Sequence, residues 1–281
     1  NVYKLYLVYC VKELLILTKT ITFGNFKGGV GKTMTSVMTA LNLSLNGNKV
    51  LFIDFDPQGN ASDVLAKTFN ITYKDKPSIY EGLENGTLSY SIKELSTYLA
   101  IVPADFSLVG FQLLLTNLTK NDYSKRAYYL DALLNPLKGL YDYIIIDTPP
   151  TISDFTNNAI LTSDYIVLVM QTQLWSLYAV ETYLPYIEQM NETYNSNCTI
   201  LGVVNMLLDK NGTVDNDVVR KAKEIFGSLL FEQNIYNRQR VKRYSAEGIP
   251  LEIKNNNRHD TDALNMYETL SKEILKRIEE E

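Results

Sequence analysis

The stretch FGNFKGGVGKTMTS, residues 23–36, decides the fold. Three glycines in four positions, Gly28, Gly29 and Gly31, lead into Lys32 and Thr33, and a second lysine, Lys27, stands just before the first of them. Glycine permits backbone conformations that aim successive N–H groups at phosphate oxygens. A helix starting at the end of such a turn adds partial positive charge. Upstream, Thr20–Phe23 reads as a strand; downstream, Met34, Val37, Met38, Leu41 and Leu45 share one helical face, with the helix starting near Thr33. Strand, glycine turn and helix are the context in which the phosphate-loop pattern G-x-x-x-x-G-K-[ST] carries chemistry. Gly31-Lys32-Thr33 supplies its end, but Phe26 occupies the place of the first glycine. The reading predicts a nucleotide cradle at Lys27, Gly28, Gly29, Val30, Gly31, Lys32, Thr33 and Met34. Lys32 would neutralise the β- and γ-phosphates, and the Thr33 hydroxyl would bind Mg²⁺.

Two further apolar runs end in carboxylates. In LFIDFDPQGNAS, residues 51–62, Asp54 and Asp56 follow a strand and so stand at its carboxyl edge, where open α/β sheets bind ligands. There one carboxylate can orient a water while the other binds Mg²⁺-bound waters. In YDYIIIDTPP, residues 141–150, Asp147 ends a buried run and would hold Mg²⁺ through water. The expected metal set is therefore Thr33, Asp54 and Asp147.

Working outward, strands are predicted at Val50–Ile53, Leu99–Val102, Tyr143–Asp147, Tyr165–Met170, Ile200–Asn205 and Leu229–Phe231. Several are continuous β-branched runs, as in strands covered on both faces. Helical stripes occur at Val180, Tyr183, Leu184, Ile187 and Met190, where Pro185 predicts a kink, and at Leu264, Tyr267, Leu270, Ile274 and Ile278, from a start near Asp260 or Thr261. The alternation predicts an α/β fold, a mostly parallel sheet flanked by helices in a three-layer sandwich of the P-loop NTPase kind. No linker divides 18–281, which reads as one domain. In residues 1–17 the apolar run is interrupted by Lys4, Lys12 and Glu13 and no small-residue cleavage site follows, so they read as neither signal nor membrane segment. Because TKTITFGN, residues 18–25, reads as the start of the first strand, they are expected to be an extension or non-native upstream sequence.

The 281 residues are 46% hydrophobic and 21% charged, an ordinary globular balance for a chain that needs no disulfides or structural metal. Two cysteines, Cys10 and Cys198, and one histidine, His259, give no metal or redox framework. A net charge of −5 argues against a dedicated basic nucleic-acid binder, though it leaves room for a local patch. The densest positive stretch is NRQRVKRYS, residues 237–245, with Arg238, Arg240, Lys242 and Arg243. It could be a solvated helix face or a contact with DNA phosphates.

The loop K-G-G-x-G-K-[ST] resembles the deviant Walker A of the ParA/MinD superfamily of ATPases. DFDPQGNAS and DTPP are similar to that family's DxDPQGN and DxPP, and SDYIVLVMQTQLWSLYAV and GIPLEI also resemble family segments, so the likeness spans residues 19–253. The resemblance implies ATP and Mg²⁺ as ligands. It implies that Lys27 reaches across a homodimer to the partner's nucleotide and acts in catalysis with Asp56, which would position the attacking water while Asp54 supports the site. It places adenine contacts near Asn205 and Pro250, and DNA binding in the patch containing Arg240. The acidic end RIEEE is unsuited to a MinD-like membrane helix, the cysteines do not suit a cluster-binding reductase, and seventeen leading residues are too few for a helix-turn-helix. The expectation is a short ParA: a cytoplasmic, nucleoid-associated switch that segregates plasmid or chromosomal DNA with a ParB-like centromere-binding protein and no membrane partner. The alternative is a ParA-like ATPase that positions another cargo or acts as a regulator.

Overall fold

The computed structural model describes residues 18–120, 122–209, 212–252 and 257–281, so the expectation for residues 1–17 lies outside the described residues. Eight strands form one sheet: β1 (Lys19–Gly24), β2 (Val50–Asp54), β3 (Lys93–Glu94), β4 (Leu99–Val102), β5 (Tyr143–Asp147), β6 (Tyr165–Gln171), β7 (Thr199–Leu208) and β8 (Ile235–Tyr236). Their order is β3-β4-β2-β5-β1-β6-β7-β8. Only the short β3 runs antiparallel to its neighbour. The helices are α1 (Lys32–Leu45), α2 (Asn60–Phe69), α3 (Ile79–Glu84), α4 (Phe111–Thr119), α5 (Tyr123–Ala127), α6 (Tyr129–Leu134), α7 (Asp154–Thr162), α8 (Leu174–Tyr194), α9 (Thr213–Phe226), α10 (Gln239–Glu247) and α11 (Arg258–Glu280).

The continuous apolar runs are explained by burial on two faces. Phe52, Ile145 and Val167 pack with Val37, Leu65, Leu270 and Ile274 of α1, α2 and α11. Their strand neighbours Leu51, Ile144 and Ile146 point the other way, onto Phe111, Leu130 and Phe155, while Ile166 and Leu168 meet Leu177, Val180 and Tyr183 of α8. This is the expected three-layer sandwich. Among the described residues no helix is long and apolar enough to cross a membrane.

Two details depart from the sequence reading. Leu45 is exposed, because the helical drift of α1 turns Leu43 and Ser44 inward in its last turn instead. Leu229–Phe231 is not a strand: Gly227–Leu229 forms a 3₁₀ turn, and Val203 alone bridges to Leu230. The Arg277 guanidinium accounts for this. It donates to the carbonyls of Leu201, Leu229 and Leu230 (2.8–3.1 Å), oxygens that a ladder would otherwise use, and lies 4.0 Å over the Phe231 ring. The edge is supplied by β8. Pro185 lies within α8, which continues through it.

The topology positions the site. β1 lies between β5 and β6. From β1 the chain crosses through α1 to β2, beyond β5, whereas from β5 it crosses through α7 to β6 on the other side. Loops therefore diverge at the carboxyl end of β1, where an open parallel sheet leaves its crevice.

Candidate nucleotide site

The loop between β1 and α1 is built for close approach to a ligand. Gly29 (φ 73°) and Gly31 (φ 98°) are left-handed, and Gly31 caps α1 with no side-chain bond to the helix's first N–H groups. Glycine is needed at 31 for its left-handed conformation, while the nearest neighbour of an added Cβ would be the flexible tip of Met206, at 2.9 Å. Val30 is buried and anchors the loop in the core, and Met34 is half-buried. Asn25, which the sequence reading missed, ties the turn down: its amide donates to the Val169 carbonyl (2.7 Å), and its oxygen accepts the Lys27 N–H (2.8 Å). Phe26 lies 4.0 Å from the Tyr183 ring, centroid to centroid, and edge-on to Tyr186. The missing first glycine is therefore replaced by an aromatic anchor on α8, a change of packing and not of charge.

Phe23, Asp147 and Asp54 stand in one register across β1, β5 and β2. Lys32, 6% exposed, lies in the field of Asp147 and Asp56. Its ammonium donates to the Lys27 carbonyl at 3.4 Å. Burial lowers its pKa against the pull of those carboxylates. Asp147 is fully buried, and burial pushes its carboxyl up to about 8, with the neighbouring Asp54 charge adding to the rise. The Thr33 hydroxyl and Lys32 act in the opposite direction, yet neither Asp147 oxygen has a partner at hydrogen-bond geometry. Two orphaned carboxylate oxygens beside a glycine cradle and a threonine hydroxyl fit a hard divalent cation. Mg²⁺ is usually held by one or two protein oxygens and completed by phosphates and water, which is what Asp147 and Thr33 offer.

The Asp54 Oδ2 accepts the N–H (2.8 Å) and hydroxyl (2.7 Å) of Ser62, and its Oδ1 accepts the Asp56 N–H (3.3 Å). Unlike Asp147, Asp54 thus has protein donors on both oxygens, with a single long bond on Oδ1. Burial raises its pKa to about 6. Asp56 lies at the buried rim, 9% exposed, with Oδ1 accepting the Gln58 N–H (2.9 Å).

The remaining candidates are more dispersed. Lys27 is half-buried, and its ammonium donates to the Gln173 side chain at the start of α8. Asn205 is fully buried in β7, with its amide nitrogen on Asn234 (2.9 Å) and its oxygen unpartnered. Pro250 is half-buried in the loop after α10, where Ile249 donates to the Thr68 hydroxyl of α2 (2.9 Å). In the basic stretch, Arg240 pairs with Asp260 through both Nε and Nη2, the latter at 3.0 Å, and reaches Glu247 at 3.3 Å. Arg238 faces Asp262 at 3.8 Å. Lys242 and Arg243 are exposed on α10. Arg238 and Arg240 thus stand beside carboxylates of α11, twenty or more residues away in the chain.

The profile of the AAA domain family matches residues 18–200. The chromosome partitioning protein ParA of Myxococcus xanthus is 30% identical over 268 residues, covering 92% of this chain and 88% of that one. Among solved structures, a McdA–ATP complex from Cyanothece superposes with a TM-score of 0.77 at 22% identity, covering 92% of this chain and 97% of that one. Cobyrinic acid a,c-diamide synthase from Mycobacterium smegmatis, with bound ADP and magnesium, gives 0.73 at 24% identity, covering 93% and 96%. These two likenesses concern the fold.

Proposed function

The chain belongs to the ParA-type ATPases of the ParA/MinD superfamily, and from that premise we propose that it is an ATP-driven switch that dimerises, binds DNA without sequence preference and takes part in DNA partition. The observation that carries this reading is Asp147: a buried carboxylate with two unpartnered oxygens, in register with the end of β1 and beside Lys32 and Thr33. An unpaired buried carboxylate is costly unless a ligand completes it.

In this reading the left-handed glycines and the uncapped start of α1 receive the phosphate oxygens, and Lys32 sits against the β- and γ-phosphates. Mg²⁺ bound with the nucleotide, held by Thr33 and through water by Asp147, would neutralise charge on the β- and γ-phosphate oxygens. Asp56 orients the attacking water, whose oxygen bonds to the γ-phosphorus as the bond to the ADP oxygen breaks. Asn205 and Pro250 flank the base. Lys27, resting on Gln173 within its own chain, turns to the nucleotide of a second copy and offsets the repulsion between two facing triphosphates. DNA phosphates meet Lys242 and Arg243, presented twice by the dimer. A centromere-binding protein of the ParB kind completes the system.

Replacing Asp56 tests the catalytic part of this reading. Asp56→Ala should bind ATP and dimerise but hydrolyse at least about 100-fold more slowly, because water loses its orienting carboxylate. Phosphate release at the wild-type rate would move that role to another residue.

A further inference from the structure

We infer that Ser62 is a positioning residue for hydrolysis, clamping the loop that carries Asp56; the inference rests on the reading of Asp56 given above. Ser62 lies outside the phosphate loop, at the end of the stretch that carries Asp54 and Asp56, six residues after Asp56 and in the first turn of α2. It is 4% exposed, and its hydroxyl has two partners of opposite kind. It donates to Asp54 Oδ2 (2.7 Å) and accepts the backbone N–H of Ala104 (2.9 Å), from the turn that follows β4. Its own N–H donates to the same Asp54 oxygen (2.8 Å).

This arrangement closes the Asp54–Ser62 segment on itself. Gly59, which precedes α2, has no side chain to cap the helix, and the Asp54 carboxylate takes over that task from the end of β2. The other Asp54 oxygen holds the Asp56 N–H. One buried carboxylate thereby grips both ends of the loop. Ser62 extends the grip sideways to the segment after β4, and the loop passes close to that segment again: a Cβ on Gly59 (φ +62°) would lie 3.1 Å from the Ala104 carbonyl oxygen. Asp56 is thus held between β2 and the Ala104 turn, in a position that sets its distance to Lys32 and Asp147. A hydroxyl is needed at residue 62 because only a group that both donates and accepts can join a carboxylate to an N–H. Alanine would leave the Ala104 N–H unpaired and remove one of the bonds on Asp54.

The consequence is a loss of precision around Asp56 with ATP binding intact. A displacement of about 1 Å in a reacting or orienting group can cost roughly 100-fold in rate. Ser62→Ala should therefore lower kcat roughly 10- to 100-fold and leave KM and the ATP Kd within about twofold. In the nucleotide-free protein, amide hydrogen exchange over residues 56–62 and at Ala104 should quicken. Ser62→Thr, which restores the hydroxyl, should recover both turnover and protection. Should Ser62→Ala fail to fold, Ser62→Cys carries the same test, since its thiol is a weak donor and acceptor at similar size. Wild-type kcat in either variant together with quickened exchange would overturn the positioning role, as would unchanged exchange at Ala104, or a raised KM with unchanged kcat. A wild-type protein without ATP turnover would remove the functional reading itself. A fully active Ser62→Ala beside an inactive Asp56→Ala would remove only this inference.

Discussion

Asp147 and Asp260 are both buried carboxylates, 0% and 4% exposed, in opposite surroundings. Asp147 has no hydrogen-bond partner on either oxygen, and burial raises its pKa. Asp260 receives the Arg240 guanidinium, the Tyr244 hydroxyl (2.8 Å) and the Asn257 amide (2.6 Å). Burial pushes its pKa up as well, yet the bonds from Arg240 and Tyr244 hold it below the ordinary carboxylate range. Asp260 is compensated within its own chain and ties α10 to the first turn of α11. Asp147 has no such partner within its own chain. In the function proposed above, the difference separates a structural charge from a binding one, which residue type alone does not.

The largest expected effect lies beside Asp147. Lys32→Ala deletes the buried cation at the β/γ-phosphate position and should remove most ATP affinity, about 2–5 kcal/mol for a desolvated charge contact. Calorimetric titration checks this; wild-type affinity would dissolve the contrast, since Lys32 would then be as structural as Arg240.

Asp147 itself should trade stability against binding. Asp147→Asn should weaken Mg²⁺-dependent ATP binding and raise the melting temperature of the nucleotide-free protein by a few degrees, roughly. The pH dependence has a defined sign. A carboxyl at about 8 in the folded state and 3.8 when unfolded favours folding in its protonated form, so its contribution is full below about pH 4 and is lost as pH rises to 8. Melting curves of the chelator-treated wild type should show this decline, and Asp147→Asn should flatten it. A variant less stable than the wild type, with the same decline, would mean that Asp147 has a partner as Asp260 does.

The smallest effects separate the cations of α10. Arg240→Ala should destabilise the fold by about 1–3 kcal/mol, because it strands Asp260, and should change DNA affinity little. Lys242→Ala should leave stability unchanged and flatten the slope of log affinity against log salt by about 2, at about 0.9 per phosphate and two copies per dimer. Denaturant titration and DNA binding over a salt series distinguish them. The reverse assignment would return Arg240 to the DNA surface.

What was legible in the sequence follows the same division. The glycine turn, the strand-end aspartates and six buried strands were readable because their patterns are local: left-handed glycines before a helix, continuous apolar runs, two of them ending in a carboxylate. The hydrogen bonding of Asp54 was not, since it depends on α2 folding back to present Ser62. The apolar run Leu229–Phe231 looked like a strand because nothing nearby shows that Arg277, 46 or more residues on, takes the carbonyls. Arg238 and Arg240 looked free for the same reason. Charge type is written locally; the partner that cancels it is supplied by the fold.

Lys27 offers the most direct test of the whole account, since it rests on Gln173 in the single chain and is assigned to the nucleotide of another. Sedimentation velocity with Mg²⁺ and a slowly hydrolysed ATP analogue should show the wild type passing from monomer to dimer. Lys27→Ala should remain monomeric while calorimetry gives it nearly wild-type nucleotide affinity. A Lys27→Ala protein that dimerises as the wild type does, or a wild type that stays monomeric with saturating nucleotide, would contradict the account.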